Sequence, residues 1–341
     1  MKNFIYCITL FLLSFLPLQA QENIDTVIRA GVYLHDKGDY KGAIEQYEKA
    51  LAINPLSERA MYEMSLTYLE MGDFANALKY STKVINSNYK PLLVDAYNVK
   101  GSALAGLQKY SDAITLLKDA LKKCGDDYLL HYNLGLSYFK NHDSANAIIY
   151  LENSIDEKVN YSESYFLYAY ALSDQNRWIE ALLAFDSFLL LDPDDERSKD
   201  VFGDMMDILQ NKLVSTDEKP APVKNLDLAK IKNTLLTVKN TIPVDTKGNS
   251  YIYFQEATKS ILAELKLVQK EENRGMFWDY FVPTFTDILD SGYFNTFCRY
   301  ISAAAYPESL AWWKANQKQV DEFTDWFEST NGNSEVQEDA E

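Results

Sequence analysis

The sequence predicts an all-α fold in which a solenoid of about five helical hairpins with a capping helix precedes a smaller helical C-terminal domain. An alanine recurs with spacings of 34, 36, 34 and 34 residues. Two further positions, one small and one large, keep a fixed distance before that alanine. This periodicity stops at residues 212–226, which contain two prolines. Internal repeats of this length are typical of solenoids.

The recurrent positions have a direct packing role. A small residue on each of two helices lets their backbones approach closely, and a large neighbour fills the space between successive hairpins. No hairpin can bury its apolar face alone, so the array is expected to be stable only as a stack. The recurrent alanine is Ala43, Ala77, Ala113, Ala147 and Ala181; twelve residues earlier stand Gly31, Ser65, Gly101, Gly135 and Ala169; three residues after those stand Leu34, Tyr68, Leu104, Tyr138 and Leu172.

The copy from Asp25 to Pro55 shows the hairpin most clearly. Its first helix is predicted to end at Gly38, the second to begin at Asp39 and Tyr40, and Pro55 follows the end of the second. Position for position, residues 25 to 211 resemble the tetratricopeptide repeat (TPR) family. The resemblance implies a right-handed superhelix of TPR-like hairpins that binds other proteins.

The repeat array is predicted to end in a capping helix, residues 198–209, which keeps the repeat phase with Phe202, Gly203 and Met206. The side of this helix opposite those residues carries Asp200, Asp204 and Asp207 and is predicted to be a polar outer face. We therefore assign residues 25–211 to the solenoid with its capping helix and 212–226 to a linker. Residues 227–327 form an aromatic-rich helical domain, in which Leu228 opens an amphipathic stripe. Two or three helices are expected between residues 277 and 327.

The two ends of the chain have different compositions. Lys2 and the apolar run that follows, closed by Ala20, have the pattern of a signal peptide over residues 1–20, so we expect an exported protein of the periplasm or the extracellular space. Residues 328–341 are acidic and are predicted to be a disordered tail. The formal charge is -17, which disfavours nucleic acid as a partner, and no membrane-spanning segment is predicted.

Catalytic and metal-binding patterns are not found. The three histidines are far apart, and neither a phosphate-binding glycine loop nor a Gly-x-Ser-x-Gly motif is present. We therefore expect no enzyme activity, no metal and no cofactor. Cys124 and Cys298 remain after signal removal, and free thiols are favoured over a bridge between them.

The candidate site is the inner face of the predicted superhelix. In the resembled family this face is lined by the first helix of each hairpin, and steps of three and four along that helix select one stripe. We call these ten residues the inner stripe and predict that they bind a protein or peptide partner: Tyr62, Leu66, Leu69, Asn98, Ser102, Tyr132, Leu136, Phe139, Phe166 and Tyr170. Such an apolar-aromatic surface needs a cover.

Three occupants or roles stay open from the sequence. The inner stripe could receive a segment of another protein, or the C-terminal domain of the same chain, which the linker could reach. Alternatively, the protein could be a cell-envelope glycan-binding protein whose aromatic C-terminal domain stacks on sugars, with the repeats as a platform. The candidate stacking residues would be Trp278, Tyr280, Trp312, Trp313 and Trp326.

Overall fold

A computed structural model describes residues 23–217, 219–242 and 249–331. These residues form two compact units, one ending at Leu107 and the other beginning at Gln108. The predicted signal peptide, residues 1–20, lies outside the described residues. So do positions 332–341 of the predicted tail, whereas residues 328–331 form the end of the last helix.

The described residues are helical, as the repeat pattern predicted, and no strand occurs among them. Four helices between residues 277 and 331 replace the two or three expected there. The helices are α1 (Ile24–Asp36), α2 (Tyr40–Ile53), α3 (Glu58–Glu70), α4 (Phe74–Ser87), α5 (Leu93–Gly106), α6 (Tyr110–Cys124), α7 (Tyr128–Lys140), α8 (Ser144–Glu157), α9 (Ser162–Asp174), α10 (Trp178–Leu191), α11 (Ser198–Asp207), α12 (Leu228–Thr241), α13 (Asn249–Val268), α14 (Val282–Asp290), α15 (Phe294–Ile301), α16 (Pro307–Ala315) and α17 (Gln317–Asn331). Short π-helical segments, Ile208–Lys212 and Phe277–Phe281, extend α11 and precede α14.

The turn inside each hairpin has the same backbone conformation. One position of every turn is left-handed, with φ between 55° and 77°. Glycine adopts this region without strain, whereas other residues do so at a cost. The position is glycine only in the first two hairpins; it is occupied by Gly38, Gly72, Gln108, His142 and Asn176.

The small residues of the repeat allow the predicted close approach. A Cβ added to Gly31 would lie 2.4 Å from Cε1 of Tyr47, and one added to Gly135 would lie 2.7 Å from Cγ of Leu151. The five recurrent alanines are fully buried. The spacing rule therefore describes real contacts between the two helices of a hairpin.

In the first unit the apolar core consists of small separate clusters between neighbouring helices. One of them contains Val27, Tyr47 and Met64, and another contains Ala77 and Val99. The outer helix α2 buries only three of its 14 residues. Helix α2 thus keeps a wide face toward solvent.

The second unit has a large core that runs from the fourth hairpin into the C-terminal helices. Twelve of the 14 residues of α10 are buried. The aromatic ring of Tyr168 in α9 stacks on Phe281, with centroids 5.9 Å apart, and the hydroxyl of Tyr165 donates to that of Tyr280. The C-terminal helices and the last hairpin therefore share one core.

The predicted boundary at residues 212–226 does not coincide with the division between the units, which falls at residues 107 and 108. Within that segment the side chains of Leu213 and Val223 are buried in the large core. The backbone N–H of Ala221 donates to the carbonyl oxygen of Asn176. These contacts fix the segment to the last hairpin, so it is no free tether.

Helix α11 also differs from the predicted cap, because its apolar side is covered by a helix from beyond the linker. The ring of Phe202 meets Phe254 of α13 edge to face, with centroids 4.8 Å apart. The hydroxyl of Tyr253 donates to the carbonyl oxygen of Leu209 at 2.9 Å. Helix α13 thus covers α11, for which the repeat pattern had supplied no second helix.

Candidate functional site

The first unit holds half of the inner stripe. Tyr62, Leu66 and Leu69 lie half-buried on α3 and pack against the cluster of Ala77, Val99 and Ala103. Burial, with Asp95 and Glu63 nearby, raises the pKa of Tyr62 to about 12. On α5, Asn98 is buried and Ser102 is half-buried. These side chains therefore serve packing and keep only part of their surface accessible.

The second unit holds the more aromatic half of the inner stripe. Tyr132, Leu136 and Phe139 of α7, with Phe166 and Tyr170 of α9, are half-buried and pack on the large core. Phe166 and Tyr170 meet edge to face, with centroids 5.0 Å apart. The five residues thus form an apolar surface on two neighbouring helices that is neither fully buried nor fully exposed.

The C-terminal helices pack on a different face of α9 from the one that carries the inner stripe. Tyr165 and Tyr168 contact Tyr280 and Phe281, whereas the stripe residue Phe166 contacts Phe188 of α10. In the second unit this differs from the expectation that the C-terminal domain could occupy the stripe. The reason is that α10 is apolar on all sides, so its outer surface also has to be buried, and the C-terminal helices pack against it.

Helix α11 continues the inner stripe with acidic residues. Asp200 and Asp204 stand 34 residues after Phe166 and Tyr170, and the hydroxyl of Tyr170 donates to Oδ2 of Asp204 at 2.6 Å. Asp200 and Asp204 are therefore the sixth step of the stripe. The sequence had indicated a polar outer face of a cap here, and the 34-residue offset was the signal that could have corrected it.

An arginine that the sequence did not single out lies against this surface. The guanidinium of Arg197 lies over the ring of Phe166, 4.3 Å from its centroid, and forms ion pairs with Glu163 and Asp195 at 2.5 and 2.7 Å. These carboxylates hold the pKa of Arg197 above its ordinary value. The charges are thus paired beside an aromatic side chain.

One buried carboxyl lies outside the inner stripe. Asp186 of α10 is 1% exposed, and its Oδ1 has no hydrogen-bond partner among the described residues. Burial raises the pKa of this carboxyl well above its ordinary value. Leu183, Leu209 and Thr258 surround it, so it sits where α10, α11 and α13 meet.

The described residues contain no group of three or more His, Cys, Asp or Glu side chains that could hold a metal ion. Cys124 and Cys298 are both free thiols, the second fully buried. Within the same described ranges, no helix combines the length and apolarity needed to cross a bilayer.

The aromatic residues considered for glycan stacking have packing contacts. Trp278 is buried, and the hydroxyl of Tyr280 is bonded to Tyr165. Trp313 lies 4.6 Å from the ring of Tyr300, and Trp326 lies 5.5 Å from the ring of Tyr293. Together with the half-buried Trp312, they form no row of exposed rings.

Comparison with known families identifies the repeats. A family model described as "TPR repeat" matches residues 32–72, and one described as "Tetratricopeptide repeat" matches residues 62–128 and 98–161. These matches cover hairpins that the 34-residue spacing defines.

Two curated relatives, both from Bos taurus, show similarity. The BBSome complex member BBS4 is 26% identical over 199 residues, which is 49% of this chain and 38% of that protein. Neutrophil cytosol factor 2 is 32% identical over 109 residues, 32% of this chain and 20% of that protein. The chain therefore spans less than half of the length of each.

Among solved structures, the chain resembles TTC0263, a thermophilic TPR protein from Thermus thermophilus. The identity is 24% and the TM-score is 0.47, over 55% of this chain and 99% of that one.

Proposed function

We propose that this chain, a member of the tetratricopeptide-repeat family, is a non-catalytic scaffold that binds a segment of another protein along its inner stripe. Proteins of this family bind other proteins or peptides. The observation that carries the proposal is the aromatic surface of the second unit. Phe139 and Phe166 are half-buried there. On α9, the C-terminal residues Tyr280 and Phe281 contact Tyr165 and Tyr168, which lie on a different face of the helix from Phe166.

A partner segment would gain apolar contact area on this surface. Large aromatic side chains with part of their area accessible are common anchors of protein interfaces, and a few such residues supply most of the binding free energy. The segment would lie against α7 and α9, whose stripe residues recur at the same offset. Binding would be mediated by side chains rather than by strand addition, since the described chain offers helices only.

The test begins with crosslinking and mass spectrometry on the native protein, which identifies the partner and the contacting residues. The identified segment is then titrated against the parent chain and against Phe139→Glu and Phe166→Glu. We expect each substitution to weaken binding at least about tenfold, since a buried carboxylate replaces an apolar anchor.

The matched control is Ile149→Glu, which introduces the same charge at a side chain that is 53% exposed on the other helix of the fourth hairpin. This control should bind like the parent chain, and thermal unfolding must show that every variant remains folded. Unchanged binding by folded Phe139→Glu and Phe166→Glu would contradict the proposal.

Export is part of the proposal and rests on the composition of residues 1–20. A charged residue followed by an apolar run and a small residue at position 20 matches the requirements of signal peptidase substrates. Intact-mass analysis of the protein from fractionated native cells tests it. A mature form that begins at Gln21 outside the cytoplasm supports export, whereas a full-length cytoplasmic protein would contradict it.

A further inference from the structure

A cavity of about 260 Å³ lies where the inner stripe reaches α11. Three side chains of its lining are buried and apolar: Trp178, Phe185 and Ile208. The ring of Tyr170 also lines it and meets Phe185 edge to face, with centroids 5.1 Å apart. The half-buried ring of Tyr170, backed by these buried side chains, thus offers apolar contact to the stem of an inserted side chain.

The same lining carries an excess of negative charge. Asp174, Asp204 and Asp207 are exposed and line the cavity together with Lys212. Three carboxylates and one ammonium give this lining a formal charge of -2. An anionic ligand would be repelled, whereas a cationic group would be attracted.

A further polar group of the lining has unused hydrogen-bonding capacity. The Oγ atom of Ser173 is buried and has no hydrogen-bond partner among the described residues. A buried hydroxyl without a partner is uncommon and costs free energy. A ligand with N–H donors would satisfy this oxygen.

We propose that the cavity binds the guanidinium group of an arginine carried by the partner segment. A guanidinium stacks on aromatic faces and donates to several carboxylates at once, whereas an ammonium acts as a compact point charge. The chain already contains such an arrangement, since Arg197 lies over Phe166 and pairs with two carboxylates. This proposal rests on the proposed function, because the arginine would enter the cavity from a segment bound along the inner stripe.

The experiment uses the full chain labelled with 5-fluorotryptophan and needs no partner. One of the five tryptophans, Trp178, lines the cavity, and its 19F resonance is assigned with Trp178→Phe. N-acetyl-arginine amide is the probe, with the corresponding lysine, glutamine and glutamate amides for comparison. We expect a saturable shift of the Trp178 resonance with arginine, a weaker effect with lysine, and none with glutamine or glutamate.

Two variants test which charges matter. Asp204→Asn combined with Asp207→Asn should weaken binding of the arginine probe by about tenfold or more, because two charge-assisted hydrogen bonds are lost. Asp200→Asn removes a single carboxylate charge from the same helix, α11, yet Asp200 does not line the cavity. Its effect should stay within about twofold, since it acts only through screened charge at a distance.

The arginine site is refuted if the glutamine amide shifts the Trp178 resonance as strongly as the arginine amide. It is also refuted if Asp200→Asn weakens binding as much as the double substitution, or if the arginine probe gives no saturable shift. Such a failure leaves the proposed function standing wherever Phe139→Glu and Phe166→Glu still lose the partner segment. Conversely, the arginine probe could bind while Phe139→Glu and Phe166→Glu capture the partner segment as well as the parent chain does. That result would refute only the proposed binding along the inner stripe.

Discussion

Helices α2 and α10 occupy the same place in their hairpins and have the same length, yet their environments are opposite. Helix α2 in the first unit buries three of 14 residues, whereas α10 in the second buries 12. The difference lies on the outer face. The residue that is exposed Glu45 in α2 corresponds, at the repeat spacing, to Leu183 in α10, which is 1% exposed.

This comparison shows that the same repeat can serve as a hairpin with a solvent-exposed outer face or as the centre of a larger core. In α2 of the first unit only three of 14 residues are buried, so its outer face is available to solvent. In the second unit the outer face of α10 is apolar and is covered by helices that do not follow the repeat. The hairpin pattern therefore fixes how two helices meet, and the residues between the pattern positions decide what packs outside them.

The largest expected effect separates these two environments. Leu183→Ala should lower the free energy of unfolding of the second unit by about 2–5 kcal/mol, because it leaves a cavity inside the large core. All five tryptophans lie beyond residue 107, so urea unfolding followed by tryptophan fluorescence reports on the second unit.

Two substitutions at equivalent positions serve as controls for Leu183→Ala. Glu45→Ala in α2 and Ile149→Ala in α8 remove exposed side chains and should change stability by no more than about 0.5 kcal/mol. If Ile149→Ala destabilised the second unit as much as Leu183→Ala, the proposed difference between the outer faces would be wrong.

A second expected effect concerns Asp186, which occupies an outer position that is Glu48 in α2 and Lys118 in α6, both exposed. Covering this position with α13 buried the carboxyl and raised its pKa, while the unfolded chain keeps a pKa of about 3.9. Above that pH the folded chain retains a proton that the unfolded chain has released. The free energy of unfolding therefore falls as the pH rises toward the folded-state pKa.

Asp186→Asn tests this pH dependence because it mimics the protonated carboxyl and cannot ionise. The variant should be more stable than the parent chain at pH 8, and the difference should shrink toward pH 4, as measured by urea unfolding at both values. The neighbouring thiol of Cys298, whose pKa burial raises, stays neutral over this range. A pH-independent difference would show that packing rather than ionisation of Asp186 is responsible.

The sequence predicted the hairpins, their small-residue contacts and the TPR resemblance, because these depend on local spacing. It did not predict that α10 would be central. The apolar character of α10 extends all around the helix, but the pattern positions drew attention to one face only. The proline-containing segment after residue 211 suggested a tether, although Leu213 and Val223 within it are buried.

The candidate site likewise contains some features that follow from local spacing and others that depend on tertiary contacts. The inner stripe follows from a helical step, and its role in binding stays a prediction. Its continuation into Asp204 is recognised only when the repeat offset is carried past the fifth hairpin. The contacts of Arg197 with Glu163 are set by a tertiary approach between the residue before α11 and the first turn of α9, and they have no local pattern. Such long-range pairs cannot be read from spacing alone, since many acidic residues in this chain stand near a base.

The smallest expected effect concerns the left-handed position in the turn of each hairpin. This position is glycine in the first two hairpins, at Gly38 and Gly72, and is not glycine in the last three, beginning with Gln108. A non-glycine residue in this region costs about 1–2 kcal/mol of stability. Replacing it by glycine removes that cost, but it also raises the conformational entropy of the unfolded chain, which lowers stability by about 0.4–1 kcal/mol. Gln108→Gly should therefore stabilise the protein by about 0.5 kcal/mol.

Gly38→Ala should destabilise the protein by about 1 kcal/mol, although a Cβ there meets no atom within 4 Å. Thermal unfolding by circular dichroism measures both, with Asn176→Gly as the control, since asparagine tolerates the left-handed region and should gain less. A larger gain at Asn176 than at Gln108 would show that contacts of the turn, rather than its backbone, distinguish the two units.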